Sequence, residues 1–231
     1  MSDPNTLRIL EIDGGGERGY LALKFLDQFV QQYWQINSAD IWKNFDVICG
    51  TSIGGILSLA LAAGRTPEDL LSFFTEQGKY IFSLSSVVPS LRPNFVAKVG
   101  LVLTNTPFYQ SSGPTADSYG AGLLYKTVRD MLKVDHNDSN SPDLTLQDLK
   151  TNVLVPAFRT NTENPTITQK AAYSLFSNLN YPEFVGQTAL ASDVALSTSA
   201  APIYLPSYSF ADNLGYQNIY IDGGIYQNNP A

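Results

Sequence analysis

A chain of 231 residues that is 44% hydrophobic and 15% charged is long enough for one large domain and too apolar for disorder. Its 21 acidic and 14 basic residues give a net charge of −7, which argues against a nucleic-acid partner and removes any long-range attraction to an anionic membrane. With one cysteine, Cys49, and one histidine, His136, an internal disulfide is excluded and a His/Cys metal site implausible. The N-terminus "MSDPNTLRILEIDGGG" lacks the basic and apolar regions of a signal peptide, and no window is apolar enough to span a bilayer. The expectation is a cytoplasmic protein, or one exported without a cleavable signal, meeting membranes only peripherally and through apolar surface.

In chain order, "TLRILEID" (6–13) reads as a short buried strand ending in an acid. Residues 19–36 have helical spacing, with Ala22, Leu26, Phe29 and Tyr33 on one stripe and Phe25 and Val30 beside it. "FDVIC" (45–49) is a second apolar strand, and residues 52–64 form a small apolar helix that Gly64 ends. Thr66 and Pro67 then open another helix, as N-cap and first helical residue. Residues 83–118 read as loop with short helical pieces, and the aromatic-rich 80–109 as ordinary core, an acyl pocket or an interfacial flap. A helix over 119–132, a polar loop over 135–143 and strands in "TNVLVPAFRT" and "NPTITQKAAYSLF" follow. A helix over 188–206 stops before Pro202. "NIYIDGGIYQNNPA" (218–231) is a last strand ending at Asp222, then a glycine turn. Alternating strands and helices predict a layered α/β domain with a largely parallel sheet. Asn229-Pro230 looks like a helix start with one residue after it, so a truncated domain is expected.

Gly50-Thr51-Ser52-Ile53-Gly54 lies between an apolar strand and an apolar helix, the context a G-x-S-x-G nucleophile elbow requires. An exposed serine on a strained turn needs small neighbours, which explains the glycines. The alternative is a plain strand–helix turn with an inert serine. Gly14-Gly15-Gly16-Glu17-Arg18-Gly19 matches a dinucleotide fingerprint, but the acid of that fingerprint, due after the next strand, is replaced by the serine motif. The better reading is a loop of N–H groups at a helix start, suited to an anion such as the oxyanion of an acyl-transfer intermediate. Arg18 would add charge or anchor that loop.

A serine needs a base. His136, in "DHNDSN", reads as a solvated surface residue, with a Ser-His-Asp esterase as the alternative. Asp222 ends an apolar strand at a glycine turn and is ionised at neutral pH, so it can take the serine proton; a turn aspartate bonded to its own backbone is the competing reading. "STSAAP" (197–202) reads as close helix packing under the site, and Cys49 as buried and inert.

"DGGGERG" at 13–19, "GTSIGG" at 50–55, "STSAAPIYLP" at 197–206 and "DGG" at 222–224 occur in that order. On these motifs the chain resembles the patatin-like phospholipase family from about residue 6 to its end. The resemblance implies a three-layer α/β/α sandwich with a mainly parallel central sheet, and one catalytic domain over 1–231. It implies a lipid acyl hydrolase of the phospholipase A type, a serine esterase with a Ser–Asp dyad and no histidine. By motif, Ser52 matches the nucleophile, with Gly50, Thr51, Ile53 and Gly54 as its elbow. Asp222 matches the base, with Gly223 and Gly224 as its turn, and Gly14, Gly15 and Gly16 with Arg18 match the oxyanion hole. Neither metal nor organic cofactor is implied; the implied partners are a phospholipid or other glycerolipid substrate and a transient membrane or micelle surface, and an activating protein partner is left open. Plant storage patatins have Asp-Gly-Ala where this chain has Asp222-Gly223-Gly224, which points to a bacterial-type member, and the family continues past the Asn-Pro. A lipid-binding or storage protein with a vestigial site is the non-enzymatic alternative.

Overall fold

Two four-residue strands lead into the candidate site: Val47–Gly50 is buried throughout, whereas Ile9–Ile12, expected to be buried, contains Glu11 and buries only Ile12 because it lies at the sheet edge. The protein is described by a computed structural model over residues 6–34, 36–78, 119–202 and 205–231. The stretches expected as a loop (83–118) and as a flap or acyl pocket (80–109) lie outside the described residues.

Strand β1 (Ile9–Ile12) pairs in parallel with β2 (Val47–Gly50), which pairs in parallel with β3 (Asn152–Thr162). These are the three strands bound to helical crossovers, as their order in the sequence implies. Beyond them the sheet is mixed. Strand β4 (Ala172–Phe176) runs antiparallel to β3 and carries the two-residue β5 (Phe184–Val185) at its edge. A hairpin of β6 (Tyr208–Ala211) and β7 (Gln217–Asp222) adds through β7, antiparallel to β3.

This arrangement places two strands end to end. Strand β2 pairs with Asn152–Leu154 of β3, while β7 pairs with Ala157–Thr162. Both lie on the edge of β3 opposite β4, which takes Val155–Arg159. Because β2 is parallel and β7 antiparallel to β3, their carboxyl ends face each other across the gap. Pro156 sits at that gap, where a central strand tolerates a residue without an N–H, and its carbonyl lies against Gly223.

Helix α1 (Gly19–Phe29) follows β1 and runs on through a π segment, Val30–Trp34. Its buried face is Gly19, Leu23, Leu26 and Val30. Of the residues expected there, Leu26 and Val30 are buried, but the stripe is rotated towards Leu23: Phe25 and Tyr33 are each 71% exposed and Ala22 is exposed. All four of those buried positions fit a 3.6 period as well as the expected ones do, so periodicity alone could not choose between the two faces. Phe25, Phe29 and Tyr33 instead stack on one another along the outer side.

Helix α2 (Ile53–Ala62) is buried at every position and packs on β1, β2 and β3. A helix whose only polar side chain is the small Ser58 has no polar face to turn to solvent and takes a central place. Helix α3 (Pro67–Phe73) begins with the expected Thr66 cap, whose hydroxyl accepts from Asp69 N–H at 3.1 Å while Asp69 returns a bond to Thr66 N–H. Helix α4 (Tyr119–Met131) leads to the polar turn that contains His136, and α5 (Ala191–Thr198) packs on α2, α4, β3 and β7. Tyr208 on β6 donates to Asp193 of α5 at 2.7 Å and fastens the hairpin to that helix.

Two expectations are shortened. Helix α5 ends at Thr198, not just before Pro202, because Ser199 Oγ bonds back to Ala195 O at 2.7 Å and the Ala200 carbonyl leaves to accept from Asp222 N–H. In "NPTITQKAAYSLF" only Ala172–Phe176 is strand. Asn164 Oδ1 accepts from both Thr166 N–H and Thr166 Oγ1, a side-chain turn that competes with the ladder.

Candidate active site

Ser52 stands between β2 and α2 with φ 57° and ψ −126°, the one non-glycine residue with positive φ among the described residues. Such a conformation costs a serine on the order of 1–3 kcal/mol and is held only by its surroundings. The neighbours supply that hold. Gly50 ends β2, and the N–H of Thr51 donates to Ile12 O at 3.4 Å. Thr51 Oγ1 donates to Gln227 O at 2.9 Å, and Ser52 N–H donates to Thr198 Oγ1 at 2.9 Å. Ile53 and Gly54 open α2, whose first N–H groups and dipole point at Ser52. Gly54 is required by close approach: any Cβ there would collide with the carbonyl of Ile12 at the end of β1.

The glycine loop lies over the elbow. A Cβ on Gly14 would sit 3.1 Å from Ser52 Cβ and 2.5 Å from Asn228 Oδ1, so the loop backbone passes directly against the serine. Gly16 opens a short 3-10 turn that includes Arg18. Arg18 is exposed, and its Nε donates to Gly15 O at 3.3 Å. Of the two parts considered for it, anchoring the loop is the one with a contact.

Asp222 ends β7 and is 6% exposed. Its Oδ1 accepts the N–H of Gly224 at 2.7 Å, and the Ser52 side chain lies within hydrogen-bonding reach of the carboxylate. Burial raises the Asp222 pKa above its ordinary value of 3.8, and the Ser52 and Gly224 hydrogen bonds oppose that rise. Ser52 and Asp222 are thus brought together by the head-to-head meeting of β2 and β7. The strand carrying Asp222 runs antiparallel to β3, so its carboxyl end meets that of β2 instead of lying beside it. Gly223 packs on the Pro156 carbonyl and Gly224 supplies the N–H that caps the carboxylate, so the turn aspartate does bond its own backbone while facing the serine.

His136 is exposed in the polar turn 134–142, with Val134 N–H bonded to Pro142 O. Cys49 is fully buried behind the elbow, its thiol pushed up to about 12 by burial and then by Glu11. Among the described residues no group of three or more His, Cys, Asp or Glu side chains is placed to hold a metal, and no helix is long and apolar enough to cross a membrane.

Two residues at the site went unnoticed in the sequence. Thr198, inside the stretch read as helix packing, bonds the Ser52 backbone. Asn228 reaches over the glycine loop, its Nδ2 3.5 Å from Gly14 O. The only signal for either was position, Thr198 in a run of small residues and Asn228 shortly after the Asp222 turn.

Comparison with known proteins gives consistent matches. Residues 10–231 match the family described as patatin-like phospholipase. The chain is 33% identical over 232 residues to a cGAMP-activated phospholipase of Vibrio cholerae, covering 98% of this chain and 56% of that protein. It is 34% identical over 241 residues to patatin-like protein 2 of Arabidopsis thaliana, covering 98% of this chain and 51% of that one. Among solved structures, VipD from Legionella pneumophila aligns at 17% identity with a TM-score of 0.49, over 96% of this chain and 46% of that one. The chain therefore spans about half the length of the relatives it matches. With all but its first residues matched by the family, this chain belongs to the patatin-like phospholipases.

Proposed function

We propose that the protein is a lipid acyl hydrolase of the phospholipase A type, with Ser52 as nucleophile and Asp222 as its base. The observation that carries this reading is a serine in a strained turn at a helix N-terminus, facing a buried aspartate. In the reaction, Ser52 Oγ attacks the ester carbonyl carbon and Asp222 takes the hydroxyl proton. The carbonyl oxygen becomes an oxyanion, held by N–H groups of the Gly14–Gly16 loop and by the α2 N-terminus. Collapse of this intermediate breaks the ester C–O bond, and the proton on Asp222 passes to the departing lysolipid alcohol. Asp222 then takes a proton from water, the hydroxide attacks the acyl-Ser52 ester, and a fatty acid leaves as Ser52 regains its proton. A raised Asp222 pKa suits this part, since a base works best with its pKa closer to the working pH.

Ser52 and not His136 is the group tied to a carboxylate, which favours the dyad over a Ser-His-Asp triad. The substrate is a glycerolipid met at a membrane or micelle surface. Because a relative is named a cGAMP-activated phospholipase, activation is tested with cGAMP present and absent. The direct test is a fluorophosphonate ester read by intact mass. The wild type should gain one phosphonyl group, on Ser52. Ser52→Ala should gain none, and Asp222→Asn should react far more slowly. Labelling that survives in Ser52→Ala would overturn the reading.

A further inference from the structure

Two residues at the C-terminal end of α5 each touch one half of the proposed dyad. Thr198 Oγ1 accepts from Ser52 N–H at 2.9 Å, and the carbonyl of Ala200 accepts from Asp222 N–H at 3.0 Å. Thr198 is fully buried, so no water competes for its hydroxyl, and its methyl group packs on Gly55 in the first turn of α2. Ser52 sits in a backbone conformation that an L-residue avoids, and relaxation would swing its side chain away from Asp222. The amide most directly coupled to the Ser52 φ angle is the one Thr198 holds.

We infer that the Thr198–Ala200 stretch is a clamp that sets the distance between nucleophile and base, with Thr198 a positioning residue acting through the Ser52 backbone. This rests on the dyad reading above. It also means that the Ser52 N–H is already committed and is not an oxyanion donor, which leaves that part to the glycine loop and to the amides that follow Ser52.

The test compares Thr198→Ser, Thr198→Ala and Thr198→Val in ester hydrolysis, with kcat, KM and Tm measured for each and Ser52→Ala as control. Ser and Ala both lack the methyl group and differ only in the hydroxyl, so this pair isolates the acceptor even if Val does not fold. Thr198→Ala should lose on the order of 10²-fold in kcat with KM unchanged. Thr198→Ser should stay close to wild type at a similar Tm. A phosphonate should label Ser52 correspondingly slowly in Thr198→Ala. Equal kcat in the Ser and Ala variants overturns the clamp while the dyad reading stands. Full activity in Ser52→Ala overturns both.

Discussion

The Asp222 carboxylate lies within hydrogen-bonding reach of the Ser52 hydroxyl, although β7, which bears the aspartate, and β2, which leads to the serine, run in opposite directions. The two strands share one edge of β3 and stop short of each other at Pro156. The meeting point is thus built from backbone register.

The pH dependence of hydrolysis follows from the buried aspartate. Burial places the Asp222 pKa above 3.8, and the base works only when ionised. The acid limb of kcat/KM should therefore have its midpoint above 3.8, measured on a soluble ester over a pH series. A midpoint at or below that value would contradict a buried base.

The same group costs stability. A carboxyl whose folded pKa is raised binds its proton more tightly folded than unfolded, so stability falls as pH rises from the unfolded towards the folded pKa, and the cost persists above it. Asp222→Asn keeps an acceptor for Gly224 N–H and removes the buried charge. Its Tm at neutral pH should equal or exceed that of the wild type, with the difference shrinking on acidification. A clear drop in Tm at neutral pH would show that the charge is stabilised by contacts other than those described.

The glycine loop should tolerate little. In Gly14→Ala the new Cβ lands 2.5 Å from Asn228 Oδ1 and 3.1 Å from Ser52 Cβ, so loop and serine must separate. The expected loss in kcat is on the order of 10²–10³-fold, the value of an oxyanion donor. Arg18→Ala should cost only a few-fold, roughly what one exposed hydrogen bond is worth, because its contact is a 3.3 Å bond to Gly15 O. Steady-state kinetics on both variants separates the two contributions.

Gly54→Ala tests the packing beneath the site. Its Cβ would strike the Ile12 carbonyl, so α2 must shift off β1. A stability loss of about 1–3 kcal/mol is expected from denaturant unfolding, accompanied by reduced hydrolysis. Unchanged stability would mean that the helix can move away at little cost.

The parts legible in the sequence were those governed by short-range rules. The Thr66-Pro67 helix start, the apolar strand before Gly50 and the glycines around Ser52 each depend on neighbours a few residues away. The family motifs likewise placed Ser52, Asp222 and the glycine loop in one group. The antiparallel course of β7 was not legible, because strand direction depends on a partner distant in sequence. The buried face of α1 was read only in part: Leu26 and Val30 are buried as expected, but Phe25 is as apolar as Leu23, and only the neighbours decide which side is covered. Thr198 looked like packing because its hydrogen bond goes to a backbone amide, which has no sequence signature.

The most direct measurement is fatty-acid release from a phospholipid panel by wild type, Ser52→Ala and His136→Ala, each with and without cGAMP. Wild type and His136→Ala should release fatty acid at similar rates, and Ser52→Ala should release none. Release by Ser52→Ala, or its loss in His136→Ala, would contradict a serine–aspartate hydrolase.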